Sequence, residues 1–107
     1  MRTLHAIFWV FCLGASTVGA ENWPAWRGPR GDGTSLESDL PVTWNKSNGI
    51  VWQTSIPEWG DSTPAIWNDA IFLTTNAHDK LLVLKIDKPT GSIAWSREVG
   101  SGDARRK

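Results

Sequence analysis

Residues 70–87 read AIFLTTNAHDKLLVLKID and decide the fold of this chain. They contain two short apolar runs, residues 71–73 (IFL) and 81–84 (LLVL), separated by polar residues. A strand with one face in water alternates apolar and polar side chains, and neither run alternates. Both faces of the sheet are therefore predicted to be apolar and to need cover. Small antiparallel sheets of four strands that stack face to face form β-propellers.

Further strands are predicted on either side of this pair. Each predicted strand is rich in β-branched or aromatic residues and is bounded by turn signals. Residues 68–69 (ND) are predicted to form a hairpin turn, residues 76–80 a loop, and residues 88–91 (KPTG) a turn. The sequence thus predicts an all-β chain: an antiparallel four-stranded blade plus an extra strand of a β-propeller, in an incomplete ring. The predicted strands are residues 50–56, 63–67, 70–75, 81–87 and 92–99.

Residues 21–49 show no strand or helix periodicity and are rich in Gly, Pro, Asp, Asn and Ser. We interpret them as an irregular arm, anchored by Trp23, Trp26 and Arg27. Arg27 is next to Trp26 and is able to form a cation–π contact with it, and we prefer a structural role for Arg27 to ligand binding. The arm is followed by a closing strand and first blade over residues 50–100 and by a frayed polar end over residues 101–107.

Residues 1–20 have the pattern of a secretory signal peptide. Arg2 precedes an apolar run, residues 6–13 (AIFWVFCL), and small residues follow at 18–20 (VGA). The run is too short to span a bilayer as a helix. We therefore expect an exported protein, periplasmic or extracellular, with no membrane span after cleavage. Cys12 is the only cysteine, so the remaining chain is expected to lack disulfides and thiol chemistry.

The charge balance excludes one class of partner. The chain has 11 basic and 11 acidic side chains. Proteins that bind nucleic acid carry a basic surface to neutralise phosphates, so no nucleic-acid partner is expected. The sequence contains no nucleophile motif, phosphate-binding loop or metal-ligand cluster, and no catalytic, cofactor-binding or metal-binding residue is predicted.

Some short motifs match known functional sites, but we prefer a chance match or a purely structural role for each of them. Residues 30–32 (RGD) spell a cell-adhesion tripeptide, but three-residue matches are common by chance. Asp32 and Asp39 lack the alternating spacing of a calcium loop. Residues 45–47 (NKS) form a glycosylation sequon, which is relevant only in a eukaryote.

The remaining candidates are polar loop residues and tryptophans. His78, Glu58 and Asp61 are interpreted as solvated loop residues. The chain has eight tryptophans, which suggests stacking on sugars or quinones. We prefer the interpretation that the tryptophans pack between sheets and anchor the arm. For Trp23, Trp26 and Trp59, stacking on a ligand stays open as the alternative.

Asp87, Thr90, Gly91 and Trp95 form a spaced motif with a physical rationale. Asp87 is expected to accept hydrogen bonds from the turn amides that follow it. Gly91 is expected to adopt a backbone conformation that other residues resist. Trp95 is expected to dock against an adjacent blade, with its indole N–H bonded to the backbone.

With this spacing, residues 83–95 (VLKIDKPTGSIAW) resemble the repeat of pyrroloquinoline-quinone-type (PQQ-like) propellers. That repeat reads apolar-x-Ala-apolar-Asp-x-x-Thr-Gly-x-x-x-Trp, and Lys85 stands where it usually has Ala. Residues 22–35 (NWPAWRGPRGDGTS) and 51–64 (VWQTSIPEWGDSTP) resemble the N-terminal arm and the beginning of the first blade in exported PQQ-like propellers of planctomycete-type bacteria. The resemblance covers most of residues 22–100.

The resemblance implies a ring of such blades, related to the scaffold protein of outer-membrane barrel assembly. By that analogy, residues 51–56 close the ring and residues 63–99 form blade one. The chain would then hold about one and a quarter blades of a ring that needs roughly four to eight. We therefore expect a fragment, whose partners are the remaining blades of a longer chain or other proteins.

The function implied is that of a non-catalytic binding or assembly scaffold. The alternative is the N-terminal part of a PQQ-dependent quinoprotein dehydrogenase. No cofactor is expected for this chain, and PQQ only for a full-length protein. A third interpretation is a small secreted carbohydrate-binding module that uses exposed tryptophans.

Overall fold

The computed structural model describes residues 20–58 and 60–102. Four strands form one antiparallel sheet in the order β1-β2-β3-β4, which leaves β1 and β4 at its edges. No helix occurs in the described residues, so the prediction of an all-β chain with a four-stranded antiparallel sheet is confirmed. The strands are β1 (Ala65–Trp67), β2 (Ala70–Ala77), β3 (Lys80–Asp87) and β4 (Ile93–Ser101).

Three of the predicted features fall wholly or largely on residues outside the described part. These are the signal peptide, most of the frayed end, and Trp59. Within the described part, no helix is long and apolar enough to cross a membrane.

Two-residue turns connect the first three strands. Asn68 adopts a φ of 52°, and the predicted turn at residues 68–69 is confirmed. The predicted loop over residues 76–80 is wrong, because β2 and β3 pair as far as Ala77 and Lys80. His78 takes a φ of 57° to make this second tight turn. The polar residues that suggested a loop thus form the tight turn between β2 and β3 and the strand ends beside it.

The strand register divides the side chains between two faces of the sheet. On one, which we call the covered face, Leu84 is 1% exposed and Ile86 is 3% exposed. Thr75, on the same face, is 3% exposed. A single sheet buries side chains this deeply only where another layer lies on it. The covered face comprises Ile66, Ile71, Leu73, Thr75, Ala77, Lys80, Leu82, Leu84, Ile86, Ile93, Ser96 and Glu98.

Residues 50–62, which we call the covering segment, supply that layer. At one end of the sheet, Trp52 lies against Gly91 in the β3–β4 connection. In the middle of β2, the Thr75 hydroxyl donates to the Pro57 carbonyl oxygen at 2.6 Å. Close by, the Thr74 N–H donates to the Ser62 hydroxyl at 2.9 Å. The segment therefore crosses the covered face and then joins the edge of β2.

The predicted extra strand over residues 50–56 is wrong. These residues belong to no strand and no β-ladder. Their β-branched and aromatic composition favours an extended backbone, but they lie over the face of the sheet rather than beside an edge. There they are held by side chains, through Trp52 and Thr54.

The opposite face, which we call the open face, is mixed in character. Its centre is Trp95, whose ring centroid is 6.2 Å from that of Phe72. The Arg97 guanidinium lies over the Trp95 ring at 5.0 Å. A cleft of about 410 Å³ lies beside Trp67, which is 55% exposed. The prediction of two apolar faces thus holds only for the centre of the covered face, since Lys80, Ser96 and Glu98 lie at its margins. The open face combines aromatic rings with cations and polar side chains. The open face comprises Ala65, Trp67, Ala70, Phe72, Thr74, Asn76, Leu81, Val83, Lys85, Asp87, Trp95 and Arg97.

The arm contacts the outer edge of β1. Trp23 and Ile66 exchange both backbone hydrogen bonds, at 2.9 and 2.8 Å. The Asn22 side-chain oxygen accepts from the Asn68 N–H at 2.6 Å. The arm is therefore joined to the β1–β2 hairpin through its first residues, while residues 29–51 are exposed.

The other edge strand, β4, is irregular. Its pairing with β3 skips Ala94 and Val99, which leaves a β-bulge at each position. Bulges disrupt the regular row of backbone groups that an edge strand would otherwise present. Both edges of the sheet are thus modified, β1 by an added bridge and β4 by its bulges.

Candidate docking site

The residues 87–91, which we call the motif turn, connect β3 to β4. One Asp87 carboxylate oxygen accepts from the Thr90 N–H at 3.1 Å and from the Thr90 hydroxyl at 2.6 Å. The Gly91 N–H donates to the Asp87 carbonyl oxygen at 2.8 Å. Gly91 has a φ of 74°, a left-handed conformation that glycine adopts without a steric penalty. The Asp-x-x-Thr-Gly spacing therefore makes a rigid, self-bonded turn.

Trp52 of the covering segment is docked on the motif turn. Its indole N–H donates to the Lys88 carbonyl oxygen at 2.8 Å. Its ring lies so close to Gly91 that an added Cβ would fall 2.5 Å from two ring atoms. The Thr54 hydroxyl donates to the Gly91 carbonyl oxygen. The turn thus presents the surface of Gly91 and two carbonyl oxygens. Trp52 contacts the glycine and one carbonyl, and Thr54 bonds to the other.

Trp95, the last residue of the motif, occupies a different environment. It projects from β4 on the open face, where it contacts Phe72 and Arg97. Among the described residues, no hydrogen-bond partner is found for its indole N–H. The structure therefore separates the motif: Asp87, Thr90 and Gly91 form one surface at the turn, and Trp95 belongs to another.

Trp52 was expected to have a structural packing role, but its partner, the motif turn, was not predicted from the sequence, although a signal for it exists. Residues 50–56 (IVWQTSI) and 93–99 (IAWSREV) share the pattern Ile-x-Trp-x-x-x-Ile/Val. Trp52 and Trp95 hold the same place in this pattern. The two stretches share this sequence pattern although the first forms no strand and the second lies in β4, and within the described residues only Trp52 docks on a turn.

The predicted arm anchors differ in what they do. The Trp23 ring packs on Gly28, where an added Cβ would lie 2.7 Å from the ring, and its N–H donates to the Trp26 carbonyl oxygen at 3.2 Å. The Trp26 ring is 80% exposed. Arg27 contributes its carbonyl oxygen, which accepts from the Gly33 N–H at 2.8 Å. In the described residues the cation–π contact is that of Arg97 with Trp95, and Arg27 makes none with Trp26.

An ion pair that sequence reasoning missed organises the rest of the arm. The Arg30 guanidinium donates to the Glu21 carboxylate at 2.6 Å, and the Ser35 hydroxyl donates to the same group at 3.1 Å. These bonds, with that of Arg30 first, lower the pKa of Glu21 below its ordinary value. The Asp32 carboxylate accepts from the Thr34 N–H and hydroxyl, which lowers the pKa of Asp32. Arg30 and Asp32, the charged residues of the RGD tripeptide, are therefore both bound within the arm.

Glu58, which was expected to be a solvated loop residue, is bound to His78. The Glu58 carboxylate accepts from the His78 N–H at 2.8 Å and lies 3.3 Å from the His78 ring. This pair ties the covering segment to the β2–β3 turn. In residues 20–58 and 60–102, no group of three or more His, Cys, Asp or Glu side chains is placed to hold a metal ion.

Comparison of the chain with family models, curated proteins and solved structures gives no match. The candidate site is therefore interpreted from its own geometry, which is that of an internal docking contact: a glycine turn that receives a tryptophan from another layer.

Proposed function

We propose that this chain is the N-terminal part of an exported PQQ-like β-propeller that acts as a binding or assembly scaffold and carries no catalysis of its own. The observation that supports this most is the docking of Trp52 on the motif turn. A tryptophan that stacks on a glycine and donates to a neighbouring carbonyl fixes one layer of chain on the next. A propeller stacks small four-stranded sheets around a ring, and a contact of this kind would join one blade to the next.

The open face supports the same proposal from the other side of the sheet. Trp95 holds the place in β4 that Trp52 holds in the covering segment. Its ring stands beside Phe72, and the Arg97 guanidinium lies over it, rather than in a closed core. We propose that a following blade covers this face and that its own Asp-x-x-Thr-Gly turn receives Trp95.

The quinoprotein alternative requires a quinone and a calcium ion, and the described residues do not fit that pair. Calcium needs six to eight oxygen ligands, and within residues 20–58 and 60–102 no cluster of three His, Cys, Asp or Glu side chains is placed to provide them. Asp87 is committed to Thr90. A scaffold is therefore the function that the described residues support, and a quinone site would have to be formed by other blades.

The coding sequence downstream of Lys107 gives the most direct test. We expect it to encode further Asp-x-x-Thr-Gly-x-x-x-Trp repeats, in the same frame or after a frameshift. When these repeats are expressed with the chain, hydrogen exchange of β4 should slow, and acrylamide should quench Trp95 fluorescence less than in residues 1–107 alone. The contribution of Trp95 to the fluorescence is the difference between the wild-type chain and W95F.

Two results would contradict the proposal. One is the absence of any such repeat in every frame, together with a compact, protease-resistant monomer of the short chain. The other is specific glycan binding by the short chain that is lost in W67A or W95A, because this would indicate a carbohydrate-binding module. The dehydrogenase alternative is tested by adding PQQ to the longer protein and measuring the absorbance of bound PQQ and the reduction of an electron-accepting dye.

A further inference from the structure

The chain carries both halves of the docking contact, on opposite sides of its sheet. The motif turn accepts Trp52 on the side of the covered face. Trp95 projects from the open face, in a sequence element that matches the one around Trp52. If the motif turn were vacant, the Trp95 ring of a second copy would be offered the same glycine surface and carbonyl acceptor that Trp52 uses. Repetition of that contact would join copies head to tail.

We propose that Trp52 blocks this association by occupying the motif turn of its own chain. The blocking element is Trp52 together with Thr54, and the excluded partner is β4 of a second copy of this chain. The inference rests on the docking role that the proposed function gives to Trp95. It adds a regulatory role for Trp52, because a contact that can repeat from copy to copy gives open-ended association unless one of its two surfaces is occupied.

The competition favours the bond within the chain for a simple reason. The covering segment is connected to β1 by a few residues, so Trp52 is present at the turn at an effective concentration on the order of millimolar. A second copy at micromolar concentration competes against this local excess. The Trp95 ring is also partly covered, because the Arg97 guanidinium lies over it at 5.0 Å. Arg97 takes the place that Thr54 has in the first element, so it would have to move off the ring to reach a carbonyl acceptor on the turn.

The surfaces that would meet are different, so the association is open-ended. The motif turn belongs to the covered side and Trp95 to the open side, and a contact between unlike patches produces rings or filaments rather than a closed two-fold dimer. The expected product of removing Trp52 is therefore a concentration-dependent series of oligomers, not a single dimer.

The test is the oligomeric state of the full chain with W52A, followed by sedimentation velocity. The wild-type chain should remain monomeric, and the weight-average mass of W52A should rise at least about two-fold with concentration, as expected for head-to-tail association. W52A/W95A should return to the monomer. W44A, which removes a tryptophan that is 64% exposed and outside the contact, should behave as wild type.

A peptide makes the test independent of whether W52A folds alone. A capped peptide of residues 92–99 (SIAWSREV), added in excess, should raise the melting temperature of W52A or restore its sheet by circular dichroism. The same peptide with Ala in place of Trp95 should do neither, and neither peptide should affect the wild-type chain.

Three outcomes would overturn the proposal: W52A that stays monomeric and ignores the peptide, association of W52A that persists in W52A/W95A, or a wild-type chain that already associates through Trp95. None of these depends on the sequence downstream of Lys107. A failure of the proposed function is therefore distinguishable from a failure of this inference.

Discussion

The Trp52 ring lies against the backbone of Gly91 with no room for a side chain between them. An added Cβ would fall 2.5 Å from the ring, in a residue whose φ is 74°. Gly91→Ala should therefore destabilise the fold by about 2–4 kcal/mol, through backbone strain and overpacking together. Urea unfolding, followed by far-UV circular dichroism, measures the change.

Gly31→Ala provides the matched control for this variant. Gly31 has a φ of 71°, but an added Cβ there would meet no atom within 4 Å, so the variant reports the backbone strain alone, about 1 kcal/mol. If the two variants lose equal stability, the contact between Trp52 and Gly91 contributes nothing.

Substitution of Leu84 tests whether the covering segment packs tightly on the sheet. Its side chain is 1% exposed, so Leu84→Ala should cost about 2–5 kcal/mol. Val99→Ala removes an aliphatic side chain that is 63% exposed in β4 and should cost less than about 0.5 kcal/mol. A small effect of Leu84→Ala in thermal or chemical unfolding would mean that the segment covers the sheet only loosely.

The Thr75 hydroxyl reports the attachment of the covering segment to β2. Thr75→Val removes its hydrogen bond to the Pro57 carbonyl oxygen and should cost about 1–2 kcal/mol, since the site is buried. We expect faster hydrogen exchange in residues 57–62 than in the wild type. Thr74→Val, on the opposite face of the same strand, is the control and should leave that exchange unchanged.

Glu21 should give the arm a pH dependence. Its pKa is lowered in the folded chain, mainly by the bond from Arg30, so its stabilising contribution is present above its unfolded pKa and is lost as pH falls through the folded value. The arm should therefore loosen below about pH 4, the ordinary range of a glutamate. Carboxyl NMR titration should find the Glu21 midpoint below those of exposed glutamates.

Glu21→Gln should abolish this pH dependence while leaving the sheet intact. Loosening of the arm that follows the same pH profile in Glu21→Gln would assign the effect to another carboxylate. Asp32 is the first to examine, because its pKa is lowered by Thr34.

Local sequence patterns predicted four of the five expected strands, because composition and turn signals mark where an extended run begins and ends. Residues 68–69 and the motif turn are tight turns whose residue types favour positive φ, and β2 and β3 are apolar runs. The position of residues 50–56 was not predictable in this way. Their composition favours an extended backbone equally well at an edge or over a face, and only the fit of Trp52 to the turn distinguishes the two.

The candidate site was predicted in part for the same reason. The bonds of Asp87 to Thr90 follow from a spacing of three residues. The partner of that turn lies 36 residues away at Trp52 and was found only in the structure. The exposure of Trp26 could not be predicted either, because Trp23 alone fills the space above Gly28.

The two modified edges of the sheet have a consequence for how this chain would aggregate. Trp23 already occupies the backbone groups of Ile66 at one margin, and the bulges at Ala94 and Val99 interrupt the other. Lateral growth into cross-β ribbons needs an uninterrupted row of such groups. Prolonged incubation of the native protein should therefore yield no thioflavin-positive fibrils, whereas a variant that loses the arm should acquire a lag phase and seedable growth.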